Sequence, residues 1–183
     1  MRTIHFGSIW GVTISAKMPA LISSLILWAT LGAAGYLFLG LSLGSAVAGG
    51  FVAVLLHWLS DLGHQLGHVW AARRVGWPMQ RLHLHWFLIG SFYPRDEPEL
   101  PASVHIRRAL GGSPASLLLS LLGLLAMFAL RPTGGLPAYL SQFFFWENLL
   151  VFALGAFLPL GFTDGSTLLT WLPRLRQERQ KNS

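Results

Sequence analysis

The chain has 183 residues, of which 53% are hydrophobic and only 11% are charged, and its formal net charge is +6. Soluble domains carry about 25% charged residues, so this composition excludes an ordinary soluble domain. Residues 18–60 and 109–130 contain no Asp, Glu, Lys or Arg, and each stretch is longer than the roughly 20 apolar residues that a membrane-spanning helix needs. We therefore predict an α-helical integral membrane protein, with residues 1–183 forming one membrane-embedded domain.

Taken in chain order, the hydropathy pattern predicts two short β elements and about four membrane-spanning helices. Residues 3–16 alternate apolar and polar side chains, which is typical of a strand or hairpin. Residues 80–93 are rich in β-forming residues and predict a second strand or hairpin, and we expect both elements at the cytoplasmic face. The predicted spans are about 20–39, 45–72, 110–130 and 143–171.

The distribution of Lys and Arg along the chain predicts the orientation of these spans. Four spans place both termini and the 73–109 connection on one side of the membrane, and Arg131 is the one cation on the other side. The cations on the first side are Arg2, Lys17, Arg73, Arg74, Arg81, Arg95, Arg107, Arg108, Arg174, Arg176, Arg179 and Lys181. Because Lys and Arg accumulate in cytoplasmic loops, we predict a multi-pass protein of the inner (plasma) membrane with both termini cytoplasmic. We expect no nucleic-acid partner, since the basic residues flank apolar spans.

The second predicted span carries a stripe of polar residues. On a helical wheel His57, Asp61, His64 and His68 lie within about 60° of one another, and ionisable groups inside a bilayer usually face a partner or a cavity. His64 and His68, at positions i and i+4, can both reach one zinc ion, and a catalytic zinc site takes a third ligand from the protein. Asp164 is the leading candidate for that ligand, because its predicted depth matches that of His68. Asp61 is a rival, although its place one turn before His64 better suits a role in orienting an imidazole.

Three segments in this order resemble those of the site-2 protease family of intramembrane zinc metalloproteases, in a short bacterial-type form. They are HQLGHVWAARRVG, ALGGSPASLLLSLL and FLPLGFTDGSTLL, and the resemblance extends over about residues 4–172. It implies that His64, His68 and Asp164 bind zinc close to the cytoplasm, and that the substrate is a single-span membrane protein surrounded by membrane lipid.

Two positions depart from the family pattern. Gln65 stands at the catalytic position where the family has the glutamate that acts as general base, and Ala156 stands where the family often has an asparagine. An amide cannot take up a proton as a general base does, and the loss of such a base typically costs roughly 10²–10⁴ in rate. We therefore expect a metalloprotease that is silent or impaired but still binds zinc.

Three functional interpretations follow from the sequence. The first is an intramembrane protease whose peptide enters as an extended strand and pairs with residues 80–93. The second is a protease fold that serves as a binding or scaffolding subunit of a larger membrane complex. The third is a tetrapyrrole-binding subunit with His57, His83 or His85 as axial ligand, which single histidines support only weakly. The sequence alone assigns no substrate-binding residues.

Overall fold

The computed structural model describes residues 3–181 and contains a helical bundle with one small β-sheet; Arg2, counted among the cations above, lies outside the described residues. The strands are β1 (Thr3–Ile9), β2 (Val12–Lys17), β3 (Arg81–His85) and β4 (Leu88–Phe92). The helices are α1 (Met18–Leu39), α2 (Leu43–Arg74), α3 (Ala102–Ala109), α4 (Gly112–Leu130), α5 (Gly135–Trp146) and α6 (Asp164–Lys181). This arrangement confirms the predicted fold class.

The two predicted β elements are hairpins, and they join into one sheet with the strand order β1-β2-β3-β4. In the first hairpin Trp10 and Gly11 both have positive φ angles (50° and 74°), as a tight two-residue turn requires. The central strands β2 and β3 pair in parallel, although the whole of α1 and α2 separates them in the chain. This parallel pairing was not part of the sequence prediction. It places β4 at one open edge of the sheet, next to α2.

Four helical segments are long and apolar enough to span a membrane within residues 3–181, in agreement with the predicted number. They are Met18–Leu39, Leu43–Arg74, Ala102–Thr133 and Gly135–Phe157.

The bounds of the fourth span differ from the prediction of 143–171. The helix begins earlier, at Gly135, and ends at Phe157, because the chain becomes extended at Leu158 and Gly161 adopts a φ of +88°. Asp164 therefore begins a separate helix, α6, rather than lying inside a membrane span.

The second half of the fourth span departs from α-helical geometry. Residues Glu147–Leu154 form a π-helix, which is followed by a 3₁₀ turn over Gly155–Phe157. A π-helix of this length is rare, and such segments are frequent at functional sites. Here the change in helical repeat turns Asn148 and Phe152 toward α2, where both are buried.

Helices α2 and α4 approach so closely that their backbones touch. A Cβ atom on Gly67 would lie 2.4 Å from the carbonyl oxygen of Gly111, and one on Gly111 would lie 2.6 Å from the carbonyl oxygen of Gly67. Small residues of this kind allow helices to pack closely in lipid. The contact brings the N-terminal end of α4 against the part of α2 that carries His64 and His68.

Candidate metal centre

The structure brings together the three residues that the sequence singled out as metal ligands. The Nε2 atoms of His64 and His68 lie 3.0 Å apart. The Asp164 carboxylate approaches both, with Oδ2 at 3.5 Å from His64 Nε2 and Oδ1 at 3.3 Å from His68 Nε2. The histidines come from one face of α2 and the aspartate from the first residue of α6. Within residues 3–181 this is the one group of three or more His and carboxylate side chains with ligand atoms close enough to hold a metal ion.

The spacing of these atoms fits a tetrahedral zinc ion. Zinc bonds of roughly 2.0–2.2 Å place neighbouring ligand atoms roughly 3.3–3.6 Å apart in a tetrahedron. Each imidazole nitrogen has one Asp164 oxygen at such a distance, Oδ2 at 3.5 Å from His64 and Oδ1 at 3.3 Å from His68, and the two nitrogens lie somewhat closer, at 3.0 Å. In addition, Asp164 Oδ2 is buried without a hydrogen-bond partner. Buried polar atoms are nearly always satisfied, so an orphaned carboxylate oxygen beside two converging imidazole nitrogens indicates that these residues fit a cation.

Both imidazoles are oriented by hydrogen bonds on the far side of the ring. His64 Nδ1 lies 2.9 Å from Ser116 Oγ, and His68 Nδ1 donates to the carbonyl oxygen of Arg108 at 2.8 Å. Because Nδ1 of His68 carries the proton, its Nε2 in the neutral ring presents a lone pair to the centre. Partners of this kind fix the tautomer and the orientation of metal-binding histidines.

The hydrogen bond of Asp61 within residues 3–181 goes to a strand and not to an imidazole: its Oδ2 accepts a hydrogen bond of 2.6 Å from the backbone N–H of Ile89 in β4. The role of Asp61 in orienting an imidazole stays a prediction. The helical wheel correctly placed Asp61 on the same side as His64. It could not show that a β-strand, rather than a histidine, lies opposite this carboxylate.

The Arg108 side chain anchors the end of α3 beside the centre. It is 4% exposed, and it binds the Glu97 carboxylate through both terminal nitrogens, at 3.0 and 2.5 Å. It also donates to the carbonyl oxygen of Trp77 and stacks over the ring of Tyr93, 4.0 Å from its centroid. Burial raises the pKa of Tyr93 to about 12, against the opposing effect of Arg108, so this phenol stays neutral. These contacts hold the Arg108 carbonyl in place for His68.

Gly112 provides the space that the two imidazoles occupy. A Cβ atom at this position would lie 2.4 Å from His68 Nε2 and 2.5 Å from His64 Nε2. The sequence analysis quoted the segment that contains Gly112, Ser116 and Gly111 but assigned none of them a role. Their function depends on what lies opposite in space, and the only signal in the sequence was the density of small residues in GGSPAS.

Gln65 lies beside the metal centre, in the wall of a cavity that the ligand residues also line. Both ends of its side-chain amide form hydrogen bonds. Nε2 donates to the carbonyl oxygen of Ile89 at 2.8 Å, and Oε1 accepts from the hydroxyl of Ser91 at 2.5 Å. The amide therefore ties α2 to strand β4. A carboxylate could not donate to the Ile89 carbonyl in this way.

The cavity next to the centre has a volume of about 990 Å³. Strand β4 forms one wall, and apolar residues of the π-helix and of the segment after it form another. Ala156 lines this wall. A methyl group therefore faces the cavity at the position where the sequence resemblance led us to expect an asparagine amide. Asn148 does not substitute for it, because its amide is fully buried and donates to Ser60 Oγ and to the carbonyl oxygen of Phe144.

The other histidines named from the sequence lie away from the ligand triad. Both ring nitrogens of His57 are engaged, with Glu147 Oε1 at 2.7 Å and with the carbonyl oxygen of Phe87 at 2.8 Å, which leaves none for an axial bond to a tetrapyrrole. His83 is bonded through Nδ1 to Ser15, and burial lowers its pKa, with a further contribution from Lys17. His85 lines the cavity beside it.

Comparison with known proteins identifies the fold. No family model matches the chain, and a search of curated proteins also found no match. Among solved structures the chain is similar to the site-2 protease from Methanocaldococcus jannaschii, with a TM-score of 0.62 and 16% sequence identity. The superposition covers 92% of this chain and 70% of that one. The chain therefore has a site-2-protease-like fold, and its four long apolar helices make it a multi-pass membrane protein.

Proposed function

We propose that this protein is a site-2-protease-type membrane protein that binds zinc through His64, His68 and Asp164 but does not cleave peptides, or does so very slowly. The observation that carries the proposal is the position and bonding of Gln65. It adjoins the ligand triad in the cavity wall, where a general base would be needed, and its amide is committed to Ile89 and Ser91.

The metal would be held by two imidazole Nε2 atoms and the Asp164 carboxylate. Zinc, when bound, supplies Lewis acidity and makes water a stronger nucleophile near neutral pH. The chain's own residues would orient the ligands through Ser116 and the Arg108 carbonyl, and would limit access of bulk water by burying His64 and His68. Gln65 has no proton-accepting group at neutral pH, so the proton removed from the attacking water has no acceptor at this position.

A binding function is the second candidate, and the bonding of Gln65 favours it. A general base that was only lost would leave an idle side chain, whereas this amide is a structural bridge between α2 and β4. Under this proposal the cavity of about 990 Å³ holds a segment of a single-span membrane protein or of a membrane-complex partner without cutting it. Membrane lipid surrounds the rest of the bundle.

The experiment compares the protein with its Gln65→Glu variant on a panel of single-span membrane substrates in lipid vesicles, both loaded with zinc. Gln177→Glu, an exposed position in α6, introduces the same charge away from the cavity and serves as the matched control. We expect no cleavage by the protein or by the control. Cleavage by Gln65→Glu alone would identify an inactivated protease, and silence of all three would favour the binding function. Robust cleavage by the unchanged protein would overturn the proposal.

We also propose that the protein lies in the inner membrane with both termini in the cytoplasm. The support is the charge distribution, because the four spans of the structure leave Arg131 at one end of the bundle and the other cations of the described residues at the opposite end or in the connections there. This orientation places the zinc ligands near the cytoplasmic surface.

A further inference from the structure

The open edge of the β3–β4 hairpin is bonded at Phe87 and Ile89 by side chains of α2. A two-residue turn closes the β3–β4 hairpin at the pair His85 and Leu88. Because hydrogen-bonded and non-hydrogen-bonded pairs alternate in an antiparallel ladder, the backbone of Ile89 faces away from β3. An additional strand would have to bind the sheet through these outward N–H and C=O groups.

Both outward groups of Ile89 are already occupied. Its N–H donates to Asp61 Oδ2 at 2.6 Å, and its carbonyl accepts from Gln65 Nε2 at 2.8 Å. One step further toward the hairpin turn, the carbonyl of Phe87 accepts from His57 Nε2 at 2.8 Å. Two outward positions of the hairpin are therefore bonded by three α2 residues: Phe87 by His57, and Ile89 by both Asp61 and Gln65.

The match between helix and strand follows from their geometry. His57, Asp61 and Gln65 are spaced four residues apart, which corresponds to a rise of about 6 Å per step along a helix. Successive outward positions of a strand are two residues apart, or about 6.6 Å. The step from His57 to Asp61 therefore matches the step from Phe87 to Ile89, and the next step, to Gln65, reaches the other backbone group of Ile89.

A membrane environment explains why the edge needs such partners. Irregular or open-edged backbone is tolerated at membrane depth only where its polar groups are satisfied by protein or by a water-filled cavity. The hairpin lies beside α2 as far as His57, about 26 Å from the end of that helix at Arg74 by helical rise. The sequence analysis expected this hairpin at the cytoplasmic face, and the structure extends it along the helix.

We propose that Gln65 is a positioning residue that, together with Asp61 and His57, closes the β4 edge at Phe87 and Ile89 to an incoming peptide strand. This inference builds on the proposed function, since it assigns a role to the amide that replaces the general base. A carboxylate at position 65 would place negative charge against the Ile89 carbonyl and would release that carbonyl. A partner segment in the cavity of this protein cannot pair with Ile89 and loses that backbone partner, and a segment that remains helical needs no such partner.

The test is hydrogen–deuterium exchange, measured by mass spectrometry on the full-length protein in lipid nanodiscs, for the segment 86–93. We expect faster exchange of this segment by about two- to twelvefold, the equivalent of losing one hydrogen bond, in Asp61→Ala, which frees the Ile89 N–H itself, and in Gln65→Glu, which loosens the strand by repelling the Ile89 carbonyl. Asp61→Asn keeps an oxygen that can accept from Ile89 and should restore slow exchange. Gln177→Glu controls for the added charge, and its segment 86–93 should exchange as slowly as in the unchanged protein. Segment 112–130 controls for global destabilisation, and its exchange should stay unchanged in every variant.

The outcomes separate this proposal from the proposed function. Equal exchange of segment 86–93 in the protein and in Gln65→Glu would overturn the edge closure, even if that variant cleaved substrates. Faster exchange in Gln65→Glu would support the closure, even if that variant remained silent. If Asp61→Ala does not fold, the variants Asp61→Asn and Gln65→Glu decide the question, because both preserve side-chain size. Slow exchange in Asp61→Asn together with fast exchange in Gln65→Glu supports the closure. Any other combination overturns it.

Discussion

Gly112→Ala is expected to abolish metal binding while leaving the chain folded. The new methyl carbon would lie 2.4 Å from His68 Nε2 and 2.5 Å from His64 Nε2, about 1 Å short of an ordinary contact, which begins at 3.4 Å. The imidazoles would have to move by about that amount, whereas metal sites tolerate ligand displacements of about 0.2 Å. Because even changes to the groups that orient ligands cost about 10–100-fold in affinity, we expect a loss of about 100-fold or more.

The assay is a zinc titration of purified protein in detergent, with cobalt(II) absorbance as a second readout of tetrahedral coordination and circular dichroism as the measure of folding. Gly44→Ala is the matched control, because a Cβ at this helical position would meet no atom within 4 Å. Ser116→Ala removes a partner of His64 without adding bulk, and should weaken binding by about 10–100-fold. Gly112→Ala protein that is folded and binds zinc as tightly as the Gly44→Ala control would refute this reading of the site.

Three further predictions concern the supports of the site and the topology. Glu97→Gln should lower the free energy of unfolding by about 1.5–3 kcal/mol, because it weakens a charge-assisted bond to the buried Arg108; an unchanged melting temperature would argue against this anchor. Asn148→Ala should cost about 1 kcal/mol through loss of the buried bond to Ser60, and thermal unfolding in the same detergent would show no shift if the bond contributes nothing. Residues 174–181 should be resistant to protease added outside intact cells and sensitive in inside-out vesicles, and the reverse pattern would contradict the orientation.

The membrane architecture could be read from the sequence because hydropathy and charge act locally along the chain. The uncharged stretches 18–60 and 109–130 set three spans, and alternation of apolar and polar residues set both hairpins. The fourth span was misplaced because the sequence stays apolar beyond its end. The extended conformation at Leu158 and the turn at Gly161 break the helix, and Asp164 moves from the inside of a predicted span to the start of α6.

The spatial grouping of His64, His68 and Asp164 was also predictable in outline. The spacing of His64 and His68 follows from the helical repeat, and Asp164 was the one acidic residue near the matching depth. What the helical wheel cannot provide is the identity of the group opposite each side chain. The wheel combined Asp61 with the histidines in one stripe, whereas the structure directs Asp61 to Ile89 and the imidazoles to the centre.

Long-range contacts account for the remaining features. The parallel pairing of β2 and β3 joins segments that are separated by two membrane spans, and no local pattern encodes it. The contribution of Ser116 likewise depends on the close approach of α4 to α2 at Gly67. For the same reason Gln65 appeared from the sequence only as the loss of a base, and its bonds to β4 became visible in the structure.

The zinc content of the purified protein shows whether the metal site is intact, as the proposed function requires, although Gln65 replaces the general base. After loading and dialysis, the protein should retain about one zinc per chain, as the single triad of His64, His68 and Asp164 implies. The Asp164→Ala variant, folded by circular dichroism, should retain little or none. Equal zinc retention by both proteins, or none by the unchanged protein, would contradict the account.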